Sequence, residues 1–181
     1  VEFFEKFRYQ EVLSEARRYP YFRSHPLSSN RVRTTRTLAE ESGLADKPED
    51  PVVVKQFDMM KAKLVGFLEP PARVLRDYPP TALSQPARYA RSIAAMQAAD
   101  LTTALKEIDS LIEEEPENPY FHELKGQILF ETGKPVDSID PLIEANRLLP
   151  GNALLQIALA RSLLARGDED DVALAENALR D

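Results

Sequence analysis

Cysteine is missing from all 181 residues, which excludes disulfides and thiolate metal sites while leaving the compartment open. Histidine is almost missing, with only His25 and His122 present. No apolar run approaches the roughly 18 residues that a membrane-spanning helix requires. A concentrated basic face is lacking too. The net charge is −7; acidic and basic side chains balance over residues 1–50, but eleven acidic ones stand against six basic ones over 119–181. Phosphate contact needs clustered lysine and arginine, so nucleic acid is not the expected ligand. No nucleophile elbow is present, and no Ser-His-Asp or Cys-His set can be assembled. The acidic run Asp168, Glu169, Asp170 and Asp171 lacks the ligand spacing and the glycine of a calcium loop, and reads as a solvated turn.

What the chain does have is a period. Pro116 and Pro150 stand 34 residues apart, as do Asn118 and Asn152, and Leu129 and Leu163. Ala99, Gly133 and Gly167 share one register, and Leu111, Ala145 and Leu179 share another. A helix-turn-helix unit repeated at this interval is the signature of tetratricopeptide repeats, which stack into a superhelix that holds other polypeptides. The fold expected is therefore all-α, with units at 85–118, 119–152 and 153–181. Small residues at fixed register, Gly126 and Ala160 with Ala104 and Ser138, let paired helices approach closely.

Upstream, residues 2–18 carry Phe3, Phe4, Phe7, Val12, Leu13 and Ala16 at mostly helical spacing. A loop follows around His25 and Pro26, then a helix that starts at Ser28 or Ser29 and ends at Gly43. Residues 45–51 are charged, with two prolines, and read as a linker. An amphipathic helix over 52–68 places Val53, Phe57, Met60, Leu64 and Phe67 along one stripe, and 52–84 as a whole caps the first unit. The chain opens at Val1 and stops at Asp181 within a helical pattern, which reads as a piece of a longer protein.

Positions 2, 5, 9 and 12 of each unit's first helix are expected on the concave side. They select Tyr89, Ile93 and Met96, then Tyr120, Glu123, Gln127 and Phe130, then Leu154, Ile157, Arg161 and Leu164. This surface is mostly apolar and aromatic, suited to an extended protein or peptide segment. Tyr89 and Ile93 stand where some repeat proteins keep a clamp for a C-terminal carboxylate, so a chaperone-tail adaptor is disfavoured. Lys125, Arg147 and Arg161 are the basic positions expected to meet an acidic partner, and His122 is expected to pack between helices.

One segment is more specific. Ser24-His25-Pro26, four residues, then Arg31-Val32 match an [ST]-H-P-x4-R-[IV] pattern, and the run from Phe57 to Leu64 leads into the repeats. Together they resemble the C-terminal part of the BepA/YfgC-like periplasmic zinc metalloproteases with a tetratricopeptide tail. The resemblance implies that residues 1–44 are a helical remnant of a peptidase domain, with His25 and Arg31 near the active site of the parent. It also implies zinc in the parent, a periplasmic setting, and a role in quality control of envelope proteins. The partner would be a client protein or the parent's own peptidase domain. The family's zinc site uses a His-Glu-x-x-His helix, in which two histidines bind the metal and the glutamate activates water. That motif is absent here, so this chain is expected to hold no zinc and no catalytic residue. The alternative expectation is a free-standing tetratricopeptide adaptor without protease activity.

Overall fold

Prolines open the helices. Pro51, Pro71, Pro119 and Pro135 each stand first in a helix and Pro86 second, where a missing N–H costs nothing and φ is already helical. The computed structural model describes residues 28–43 and 47–179, and among them it is all-α, with no strand. The chain divides after Asp50 into two units.

In the first unit, α1 spans Ser28–Ser42, and Gly43 ends it with φ at 65°. Val32 is buried, whereas Arg31, Arg33 and Arg36 are exposed. The helix expected at 2–18 and the loop carrying His25 lie outside the described residues.

The second unit begins with α2 (Pro51–Leu68) and the short α3 (Pro71–Asp77). Three helical hairpins follow: α4 (Gln85–Gln97) with α5 (Leu101–Glu114), α6 (Pro119–Glu131) with α7 (Pro135–Leu148), and α8 (Ala153–Arg166) with α9 (Asp171–Ala178). Their first helices start at 85, 119 and 153, an interval of 34 each time. The second helices start at 101 and 135, again 34 apart, and α9 starts two residues late. From α4 onward each helix packs on the next; α2 packs along α4, α4 meets α6, and α6 meets α8.

Local chemistry explains the repetition. Ala99, Gly133 and Gly167 turn the chain inside each hairpin with φ of 58°, 81° and 80°. Glycine takes this left-handed conformation freely, and alanine does not. Between hairpins, Asn118 and Asn152 accept from the backbone N–H two residues on, each at 3.1 Å, and so cap α6 and α8. Inside the hairpins, one register holds Ser92, Gly126 and Ala160, all buried. At Gly126 a Cβ would lie 2.5 Å from Leu142 Cγ, so α6 and α7 touch there almost backbone to side chain. The small polar residues in these contacts find partners: Ser92 Oγ donates to the Ala104 carbonyl at 2.9 Å, and Ser138 Oγ donates to Ser162 Oγ at 2.9 Å.

The core runs through the hairpins. Ile93, Ile108, Leu111, Phe121, Leu124 and Ile128 form its largest cluster, and Ile139, Leu142, Leu159 and Leu163 continue it. One buried charge joins it. Arg91 reaches Glu107 with two nitrogens (2.7 and 3.1 Å) and donates to the carbonyls of Pro79 (2.9 Å) and Ala82 (2.8 Å). It thereby ties the segment before α4 onto the first hairpin.

The stripe expected to bury α2 does not do so. Val53, Phe57, Met60 and Leu64 are exposed, and of that set only Phe67 packs into the core. The contact face of α2 is instead Met59, Ala62, Gly66 and Phe67. A Cβ on Gly66 would stand 3.0 Å from Ile93, so small residues set how closely α2 approaches α4.

Candidate functional site

The eleven positions expected to line a concave face divide into a covered set and an open one. On α4, Tyr89 and Ile93 are buried at 2% and 0% exposure, and Met96 is half-buried. Their cover includes α2: Met59, Phe67 and Met96 pack against the cluster that contains Tyr89 and Ile93, and Gln97 Nε2 donates to the Phe67 carbonyl at 3.0 Å. The expectation of an accessible groove along α4 is therefore corrected. That helix uses its face to seat α2.

On α6, Tyr120 is exposed, while Glu123, Gln127 and Phe130 are half-buried. On α8, Leu154, Ile157, Arg161 and Leu164 are all exposed. The Arg161 guanidinium lies 4.8 Å from the centroid of the Phe130 ring and links the two helices through a cation–π contact. Leu154, Ile157 and Leu164 stand on one helix around that arginine, so α8 presents an apolar face with a single positive charge.

Between α2 and the corner joining α5 to α6 lies a cleft of about 1160 Å³. Its apolar wall includes Met59, Met60, Pro116 and Tyr120. Two ion pairs cross from α2 to the hairpins. Lys55 bonds to Glu115, and Lys63 Nζ bonds to Glu123 at 2.9 Å while sitting 5.8 Å from the centroid of the Tyr120 ring. Gln85 Nε2 adds a bond to Glu115 at 2.9 Å. The Lys55 hydrogen bond, then that of Gln85, holds the Glu115 carboxyl below the usual carboxylate range. Tyr89 also lines this cleft; its ring tilts against Phe121 at 5.7 Å. Its hydroxyl is buried and has no hydrogen-bond partner among the described residues. Burial first, and the Glu123 charge second, push its pKa up, so the phenol stays protonated.

The other singled-out residues serve the fold. His122 is buried, and its Nε2 lies 2.7 Å from the Pro116 carbonyl, which can only accept, so Nε2 carries the proton. Lys125 and Arg147, expected to be available to an acidic partner, are engaged within the chain, with Asp109 at 2.8 Å and Glu144 at 2.7 Å. The acidic turn is not merely solvated. Asp171 is buried and accepts from Arg166 and from the Asp168 backbone N–H at 2.7 Å. Arg31 lies on the exposed side of α1, and His25 lies outside the described residues.

Sequence reasoning missed Lys55, Met59, Glu115 and Pro116 as parts of a site. A signal was available in Gly66, a glycine in mid-helix that asks for a close neighbour. Among the described residues no group of three His, Asp or Glu could hold a metal ion, and no helix is long and apolar enough to cross a membrane. Comparisons with protein-family models, with curated proteins and with solved structures return no match.

Proposed function

We propose that this chain is a protein-recognition module of tetratricopeptide type that serves a zinc-dependent metallopeptidase of the cell envelope. The observation that carries the recognition role is the open apolar face on α8. Leu154, Ile157 and Leu164 are 78%, 47% and 55% exposed, and the counterparts of Ile157 and Leu164 on α4, Tyr89 and Met96, belong to the cluster that α2 covers. A surface able to seat α2 in one hairpin is suited to seat a foreign segment in another. The 34-residue interval between helix starts supports the repeat type. The peptidase link rests on the sequence resemblance at Ser24, His25, Pro26, Arg31 and Val32.

Each part has its own test. Binding of a permanently unfolded, carboxymethylated polypeptide is measured for the wild type and for Ile157→Asp. The recognition reading expects a loss of about ten-fold or more, the size of an interface hot spot. An unchanged affinity sinks it. For the peptidase link, zinc per chain is measured on the product of the whole reading frame that encodes this sequence. About one equivalent is expected from a single His-Glu-x-x-His site, and none would leave an adaptor.

A further inference from the structure

We propose that the α8 face seats an amphipathic helix of a partner protein, and that an aspartate or glutamate on the apolar side of that helix pairs with Arg161. This deepens the recognition reading above and rests on it.

Arg161 is the arginine that the hairpins leave open. Arg88, Arg91, Arg147 and Arg166 each reach a carboxylate of the chain, on Glu114, Glu107, Glu144 and Asp171. Arg161 is exposed and pairs with no acidic side chain among the described residues. Its guanidinium lies over the Phe130 ring, 4.8 Å from the centroid. A ring so placed takes the flat face of a guanidinium and leaves the N–H donors along its edge, a fork that matches the two oxygens of a carboxylate. The same contact holds the long side chain in place, so less freedom is lost when a partner pairs with it.

Hairpin one supplies the docking mode. Ile157, Arg161 and Leu164 lie two intervals of 34 after Tyr89, Ile93 and Met96, and α2 covers the cluster around those three. The occupant of this register is there a helix, and it meets Ile93 with Gly66, whose Cβ would stand 3.0 Å away. On α8 the place of Ile93 is taken by Arg161. A helix laid there in the same way covers a guanidinium, and covering a charge without a counter-charge is costly. A carboxylate on the incoming helix removes that cost. Spacing agrees: Leu154, Ile157, Arg161 and Leu164 step by three, four and three, the seam of a helix–helix contact. One charged residue in such a seam selects the partner that answers it. A second copy of this chain does not, because two copies joined through this face bring like charges together at its centre.

The test uses fluorescent amphipathic helical peptides with acetylated and amidated ends, alike except for one residue in the middle of the apolar face: Glu, Gln or Lys. Anisotropy is read on the whole chain. The Glu peptide should bind about ten-fold tighter than the Gln peptide, the size of a charge-assisted hydrogen bond, and the Lys peptide should bind weakest. Arg161→Gln, at an exposed position, should erase the preference for Glu, and Arg161→Glu should transfer it to the Lys peptide. Equal binding of the three peptides to the wild type, with Ile157→Asp still removing it, overturns the acidic partner and leaves the recognition reading standing. A preference for Glu that survives Arg161→Gln overturns it too. So does a Gln peptide with a free C-terminal carboxylate that binds as tightly as the Glu peptide, which would assign Arg161 to a chain terminus. Self-association of the chain that Ile157→Asp abolishes would give the face to a second copy. If no peptide binds while Ile157→Asp still costs the unfolded polypeptide its affinity, the helical occupant falls and the recognition reading stands. If no peptide binds and that affinity is unchanged, both fall together.

Discussion

Tyr89 and Ile157 occupy the same position in hairpins one and three, two intervals of 34 apart, yet the first is 2% exposed and the second 47%. Ile93 and Arg161 repeat the contrast, as do Met96 and Leu164. The backbone frame is the same, so the difference comes from what precedes each hairpin. Hairpin one has α2 before it and buries its face against that helix. Hairpin three has no such helix against its face among the described residues. A repeat position thus fixes where a side chain points, and the neighbouring element decides whether it becomes core or surface.

The contrast is sharpest at Arg91 and Lys125, again 34 apart. Arg91 is buried with a bidentate partner and two carbonyls, while Lys125 makes one half-exposed pair with Asp109. Removing one member of a buried charge network strands the rest, whereas an exposed pair contributes little. Arg91→Met is therefore expected to cost about 3 kcal/mol in denaturant unfolding, and Lys125→Met less than about 1 kcal/mol. Equal costs at the two sites would mean that Arg91 holds nothing in place before α4. This is the largest effect expected here.

Much of the frame was legible in the sequence, and the reason is locality. Asn118 and Asn152 cap helices, Gly133 and Gly167 turn the chain, and Gly126 meets Leu142, all through demands set within a few residues or one hairpin. The candidate site was less legible because it depends on which face of α2 is used. Hydropathy pointed to Val53, Phe57, Met60 and Leu64, but a helix lying this close to α4 is seated by small residues, Ala62 and Gly66, with Met59 and Phe67 beside them. Neither the Lys55–Glu115 pair nor the unpartnered Tyr89 hydroxyl leaves a pattern in sequence, because each joins residues tens of positions apart or records a missing contact.

A smaller effect is expected at the turns, where hairpins one and two can be exchanged. Ala99 holds φ at 58°, and Gly133 holds 81° at the matching site. A left-handed alanine is strained by roughly 1 kcal/mol, and no atom lies within 4 Å of a Cβ placed on Gly133. Ala99→Gly should therefore gain, and Gly133→Ala lose, a similar amount of about 1 kcal/mol or less, reduced by the extra freedom glycine has in the unfolded chain. Melting curves of both variants check this. A loss for Ala99→Gly would mean that glycine's freedom in the unfolded chain outweighs the strain of Ala99, and a gain for Gly133→Ala would mean the same at the second turn.

The third hairpin departs from the first two at its turn, and pH separates it from them. Its second helix starts two residues late, after a turn closed by Asp171, whose carboxylate accepts from Arg166 and from the Asp168 N–H. The Arg166 hydrogen bond holds the Asp171 pKa below its ordinary value. A carboxyl with a lowered folded pKa binds protons less readily than in the unfolded chain. Its stabilisation is therefore present above the unfolded value of about 3.9 and is lost as pH falls through the folded one. The matching position of hairpin two, 34 residues earlier, is Asp137, but it lies exposed on α7's first turn, and Thr132 stands where hairpin three has Arg166. Amide exchange followed from pH 6 downward should therefore show α9 losing protection as Asp171 takes up its proton, while α7 stays protected. Asp171→Asn should weaken α9 at neutral pH and flatten its acid dependence, because the asparagine cannot ionise. Parallel acid profiles for wild type and variant would move the turn's stability away from this carboxylate and onto the apolar contact of Ala175 with its cluster.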